Sequence, residues 1–247
     1  MPELPLSAWQ LEFAYTCAIL FSAYLVRGMA GFGSGLIAIP LLTLLHPVQV
    51  VVPLVVVLDY LGSASQGIRL RHATNWRELM PLAPFTLAGV LVALFLFKSI
   101  DPALLTAALG YFIIVFAIYQ LLPASQRTGS RIWALPTGFL GGLIGTLFGT
   151  GGAFYMIYLR LRNLDQVPTL ASFATWFIVD GTIRIIGFVA IGLLTFALLP
   201  TLLMWIPAAL LGLLLGGKVH TGLSKGQFRL FISLLLIFSG YKLINLE

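Results

Sequence analysis

An all-α, polytopic membrane protein built from two inverted repeats is the fold this sequence predicts, and three observations predict it. Of 247 residues, 60% are hydrophobic and only 9% charged, against about 25% charged in an ordinary soluble domain. Apolar runs of bilayer-crossing length recur along the chain, and the mean hydropathy is +1.03. The second half also repeats the punctuation of the first. The expected architecture is ten helical segments, two of them short, or eight spans on a conventional count.

The long segments come first. Runs at 79–97, 102–122, 198–217 and 227–244 are apolar throughout, and 47–68 and 166–191 are apolar but carry ionisable residues. The runs are continuous and do not alternate, which argues for helices over transmembrane strands. The first ten residues hold Glu3 and no Lys or Arg, so no cleavable leader is expected. Cys17 is the single cysteine, and His46, His72 and His220 are far apart. No disulfide, metal site or cofactor is predicted. The net charge of +6 lies mostly between spans, where orientation explains it better than nucleic-acid binding does.

The repeat is read by shifting the first half about 120 positions. Gly31-Phe32-Gly33-Ser34-Gly35 then overlays Gly149-Thr150-Gly151-Gly152-Ala153, and Asp59 meets Asp180 after a short gap. Pro81 meets Pro200, Lys98 meets Lys218, and "FAIYQLL" meets "FSGYKLI". The boundaries that follow are 1–123 for the first repeat, 124–132 for a cytoplasmic linker and 133–247 for the second repeat.

Five segments per half is an odd number, which lands the second copy upside down. Charge agrees, because basic loops stay inside. The loop 69–78 carries Arg69, Arg71 and Arg77, and its counterpart 191–197 is bare. The loop around Lys98 and Asp101 is neutral, and its counterpart carries Lys218, Lys225 and Arg229. Arg127, Arg131, Arg160 and Arg162 also fall inside, so both termini are expected outside.

The glycine clusters open the two short segments. The run after the first, Leu36 to Leu45, is about 15 Å as a helix, too short for a core of about 30 Å. Re-entrant helices that start at depth are therefore expected, with glycine permitting the turn. A fresh helix N-terminus favours an anion. Two inverted copies aim two such ends at one site. Gly31, Gly33, Ser34, Gly35, Gly149, Thr150, Gly151 and Gly152 are the candidate cradle for a small anionic substrate. The competing reading is close helix packing, and Gly138, Gly142 and Gly145 fit that description.

Charge within a span marks function or a partner. Asp180 and Arg184 are four apart on one helix face. They form a self-neutralising pair, or Arg184 grips an oxyanion while Asp180 holds it or takes a proton. Asp59 has no charged neighbour one turn away. It is protonated, paired with Arg27, or a hydrogen-bonded structural carboxyl. Arg27 is expected to snorkel to the inner interface. Asp59 and Asp180 are the candidate carriers of a coupling ion, a proton. Trp176 walls the site or packs in the core, and Ser63 and Gln66 are weaker candidates. Trp9, Trp76, Trp133 and Trp205 are expected as interface anchors.

The duplicated signature, "GFGSGLIAIPLL" and "GTGGAFYMIYL", followed by the basic "RHATNW" loop, resembles the TauE/SafE family, the sulfite exporters or TSUP family. The resemblance covers nearly the whole chain. It implies secondary transport, mostly export, of sulfite or small organosulfonates, coupled to an ion gradient, in a bacterial inner membrane. The departures are Tyr158 opposite Pro40, Ala153 opposite Gly35, and the run "VVVPLVVVLD" where the family often has small polar residues. They bear on the cargo more than on the role. An anion channel and a carrier of a non-sulfur anion are the alternatives, and a homo-oligomer is left open. A membrane enzyme is not expected: there is no His-x-x-x-His, nucleophile elbow or Cys pair. A non-transporting subunit is the remaining alternative.

Overall fold

The computed structural model describes residues 6–31, 33–122, 128–218 and 225–245. Glu3, Phe32, Arg127 and His220, and the side chains of Gln66, Arg69 and Lys225, lie outside the described residues. The described chain is helical without strands. In order, its helices are α1 (Leu6–Ala30), α2 (Ser34–Thr43) and α3 (Val48–Leu70), then α4 (Trp76–Ser99) and α5 (Pro102–Leu121). The second half gives α6 (Arg131–Phe148), α7 (Gly152–Leu161), α8 (Gln166–Ala190), α9 (Phe196–Gly216) and α10 (Lys225–Ile244). Among the described residues, six helices are long and apolar enough to cross a membrane: α1, α4, α5, α6, α8 and α9. The chain is a multi-pass membrane protein.

Local chemistry sets the ends. Asp101 accepts a hydrogen bond from the Ala103 amide at 2.8 Å, with Pro102 in the first helical position of α5, as a capped N-terminus requires. Pro81 and Pro200 each stand at a helix entrance beside a 3-10 turn. The two short helices, α2 and α7, have ten residues each. α2 starts at Ser34, two residues before the expected start. Gly31 and Gly33 take φ of 82° and 101° in the first break, and Gly149 takes 63° in the second. These left-handed values suit glycine and end the incoming helix.

Packing follows the same order in both halves. α1 packs chiefly on α9 and α6 on α4, while α3 packs on α8 and α5 on α10. Exchanging the five helices of one half for those of the other maps this pattern onto itself. Glycine permits the closest contacts. A Cβ on Gly212 or Gly216 would strike α1 backbone at Phe21 and Leu25, and one on Gly89 or Gly142 would strike α6 or α4 backbone in the equivalent pair. Gly138 and Gly142 are thus packing glycines in α6.

α2 lies in the centre, buried from Ser34 to Pro40, as a helix apolar all round must. Rows of large apolar side chains on α4, α5, α9 and α10, among them Phe95, Val115, Leu214 and Phe238, are exposed and suit lipid. Trp9, Trp76 and Trp133 are about half exposed, as anchors should be. Trp205 is not an anchor. It is 3% exposed and packs 5.8 Å from the His46 ring in the turn after α2.

Candidate functional site

The two glycine breaks, 118 positions apart from Gly31 to Gly149 in the sequence, meet in space. A Cβ on Gly35 would strike the Gly149 carbonyl oxygen, and a Cβ on Gly149 would strike the Ile39 side chain. The breaks border one crevice. Gly33, Ser34, Gly35, Gly149, Thr150 and Gly152 line it, with Arg27 and Asp59 beside them. Leu36, Ala153, Phe173 and Phe177 form an apolar wall. Gly31 and Gly151 shape the breaks without lining the crevice: Gly31 lies against Leu170, and Gly151 against the Gly141 carbonyl and the Arg184 guanidinium.

Arg27 is 5% exposed and does not snorkel. Its position near the end of α1 turns it toward α3, where Nη1 pairs with Asp59 Oδ1 at 2.6 Å. The other contacts fill the guanidinium fork. Nη1 donates to Ser34 Oγ at 3.0 Å, and Nη2 donates to the Asp59 carbonyl at 3.1 Å and Ser63 Oγ at 2.5 Å. Its Cζ lies 5.6 Å from the Phe177 ring centre, within cation–π range. Asp59 is therefore paired, in one of the states the sequence allowed. Its Oδ1 also accepts from the Tyr24 hydroxyl at 2.7 Å and the Ser34 hydroxyl at 2.6 Å.

This pair makes the crevice nearly neutral. Two like unit charges about 4 Å apart repel by about 4 kcal/mol at an effective dielectric of 20. An anion seated on Arg27 meets that penalty while Asp59 is ionised. One further polar group has no partner: the Thr150 hydroxyl is buried without a hydrogen bond. Such an atom is costly unless something fills the space beside it. On the α7 side, the Ala153 and Phe154 amides bond back to the Thr150 and Gly151 carbonyls, so fewer free donors remain there than at an open helix end.

The second half holds a similar cluster, closed off from the crevice. Arg184 Nη2 pairs with Asp180 Oδ2 at 2.5 Å, the i,i+4 contact that the spacing predicts. Tyr155 donates to Asp180 Oδ1 at 3.1 Å, as Tyr24 does to Asp59. Arg184 also donates to the Gly141 carbonyl at 3.0 Å and fills the space over Gly145. It lies directly behind the second break. Trp176 is buried edge-on to Tyr155 in the core and does not line the crevice. Each half thus carries an Arg–Asp–Tyr cluster beside its break. The arginine comes from α1 in one and from α8 in the other.

Sequence reasoning did not single out Tyr24, Tyr155, Phe173 or Phe177. Tyr24 stands three residues before Arg27, on the same face of α1, and that spacing was the available signal. A third cluster was also missed. Glu78, at the start of α4, receives Arg131 and Arg162, each at 2.8 Å, and the Tyr158 hydroxyl at 3.2 Å. It ties the entrance of α6 and the end of α7 to α4.

The comparisons with known proteins agree with this architecture. The model of the family described as "Sulfite exporter TauE/SafE" matches residues 16–243, both glycine breaks included. No curated protein and no solved structure gives a significant match. The chain therefore belongs to the sulfite exporter TauE/SafE family, membrane transporters of sulfite-type anions.

Proposed function

We propose that this chain is a secondary transporter, working as an exporter, of small sulfur oxyanions or organosulfonates such as sulfite or sulfoacetate. Two inverted halves rock about a midplane site, which opens alternately to each side. The site is the crevice between the breaks. Gly33, Ser34, Gly35, Gly149, Thr150 and Gly152 cradle the anion, while Gly31 and Gly151 hold the turns. Arg27 supplies the positive charge on the first half and Arg184 backs the second break. Asp59 and Asp180 are the coupling carboxylates for a proton. Trp176 braces the second cluster from the core. The setting is a bacterial inner membrane with both termini outside.

The observation that carries this reading is the meeting of two duplicated breaks at one crevice that holds a buried guanidinium and an unpartnered hydroxyl. Those are the parts an oxyanion needs: a delocalised cation, short donors and backbone free of Cβ atoms. The apolar wall of Phe173 and Phe177 suits the short carbon chain of a sulfonate.

The test is flux in proteoliposomes holding the purified chain and loaded with sulfite or sulfoacetate. Saturable counterflow, in which one anion drives another uphill, supports the carrier. Flux that never saturates makes it a channel. No flux of any sulfur anion from folded protein refutes the proposed cargo.

A further inference from the structure

Resting on that reading of the crevice, we infer that Asp59 masks and unmasks the charge of Arg27, so that a proton and an anion occupy the site together and cross in the same direction.

The argument starts from which groups line the crevice. Among the described residues there, Arg27 and Asp59 are the two that carry charge. They sit in direct contact and cancel. Around Asp59, α1 contributes Arg27 and Tyr24, α2 contributes Ser34, and the second half contributes uncharged Gly149, Thr150 and Phe177. Arginine does not release its proton in a protein. The carboxyl is therefore the group that changes the charge of the crevice.

The geometry gives the two carboxyl oxygens different tasks. Arg27, Tyr24 and Ser34 all donate to Oδ1 and hold it in place. Oδ2 lies toward Gly35, 3.6 Å from where a Cβ would stand, and Gly35 lines the crevice. A proton from water on the loading side adds to Oδ2. Its negative charge vanishes, Arg27 is left with a net positive charge, and an oxyanion takes up that charge. On the far side the anion leaves, the proton returns to water, and the Arg27–Asp59 pair closes again. Thermodynamic reciprocity requires that each ligand then favours the other.

The test combines two measurements on the full chain. Binding of sulfite and of ethanesulfonate is measured by calorimetry in detergent between about pH 5 and about pH 8, where ethanesulfonate keeps a constant charge. Proton movement is recorded in proteoliposomes with a trapped pH dye during anion flux. The wild type should bind about tenfold more tightly at the acid end, within the usual range for coupled sites, and protons should move with the anion. Asp59→Asn should bind with little dependence on pH, and Asp59→Glu should restore the slope. Comparing wild type with Asp59→Asn removes the titration of sulfite itself. Should Asp59→Asn fail to fold, the wild-type proton record decides. Anion flux without protons, protons moving opposite to the anion, or an unchanged slope in Asp59→Asn overturns the inference and leaves the transporter reading standing. No binding or flux of either anion at any pH overturns both.

Discussion

Gly35 lies so close to the carbonyl oxygen of Gly149 that no side chain fits between the two glycine breaks. The obstacle is backbone, which cannot swing away as a flexible side chain can. Gly35→Ala should therefore separate the breaks and cost about 1–3 kcal/mol, as overpacking does elsewhere. Transport should fall more than stability does. Flux and thermal unfolding of the same preparation check this. Gly192, at positive φ with open space around it, is the control: Gly192→Ala should strain its turn and spare transport.

The Arg27–Asp59 pair predicts an asymmetry between single and double variants. Arg27→Gln leaves a buried carboxylate without its counter-charge, a loss of about 3–5 kcal/mol where such pairs have been broken. Arg27→Met with Asp59→Leu removes both charges and should recover much of that loss. Transport should not recover with it. Thermal melts together with flux separate the two effects. A double variant as unstable as the single one would contradict the proposed balance of charges.

The Glu78 cluster predicts a ranking. Arg162 is more buried than Arg131, with side chains 22% and 41% exposed, and Arg162 also donates to the Gly129 carbonyl. Surface screening weakens the more exposed contact. Melting temperature should thus fall further for Arg162→Ala than for Arg131→Ala, and furthest for Glu78→Ala, which strands both arginines and Tyr158. The reverse order of the two arginine variants would show that the exposed pair dominates.

His46, in the turn between α2 and α3, predicts a pH effect. Burial lowers its pKa from the usual 6.5, while Glu12, 3.4 Å away, pulls it upward. The fold thus favours the neutral ring. Protons bind the unfolded chain more readily, so stability present above about pH 6.5 declines as the pH falls. Unfolding temperature measured from about pH 7.5 to about pH 5.5 should drop, and His46→Gln should flatten that decline. An identical slope in the variant would assign the effect to other groups.

Much of the fold was legible residue by residue. The short helices α2 and α7 follow from glycine clusters next to apolar runs too brief to span. The Asp180–Arg184 contact follows from i,i+4 spacing. The fate of Arg27 was not legible in this way. Its neighbours along the chain are compatible with snorkelling, and its actual partners, Asp59 and Ser63, come from another helix. Trp205 was misread for the same reason, because its cover, His46, is distant in sequence.

By itself, then, the sequence determined the number, length and order of the helices, the two breaks and the membrane setting. Those follow from hydrophobicity, proline and glycine, which act locally. Tertiary structure decided that the breaks touch, that the Arg27–Asp59 pair lines the crevice, and that Arg184 stands behind it. Helices apolar all round carry no periodic mark of which face turns inward. That choice is made by close packing of glycine against backbone and by buried charges that must find partners, and both depend on residues far apart in the chain.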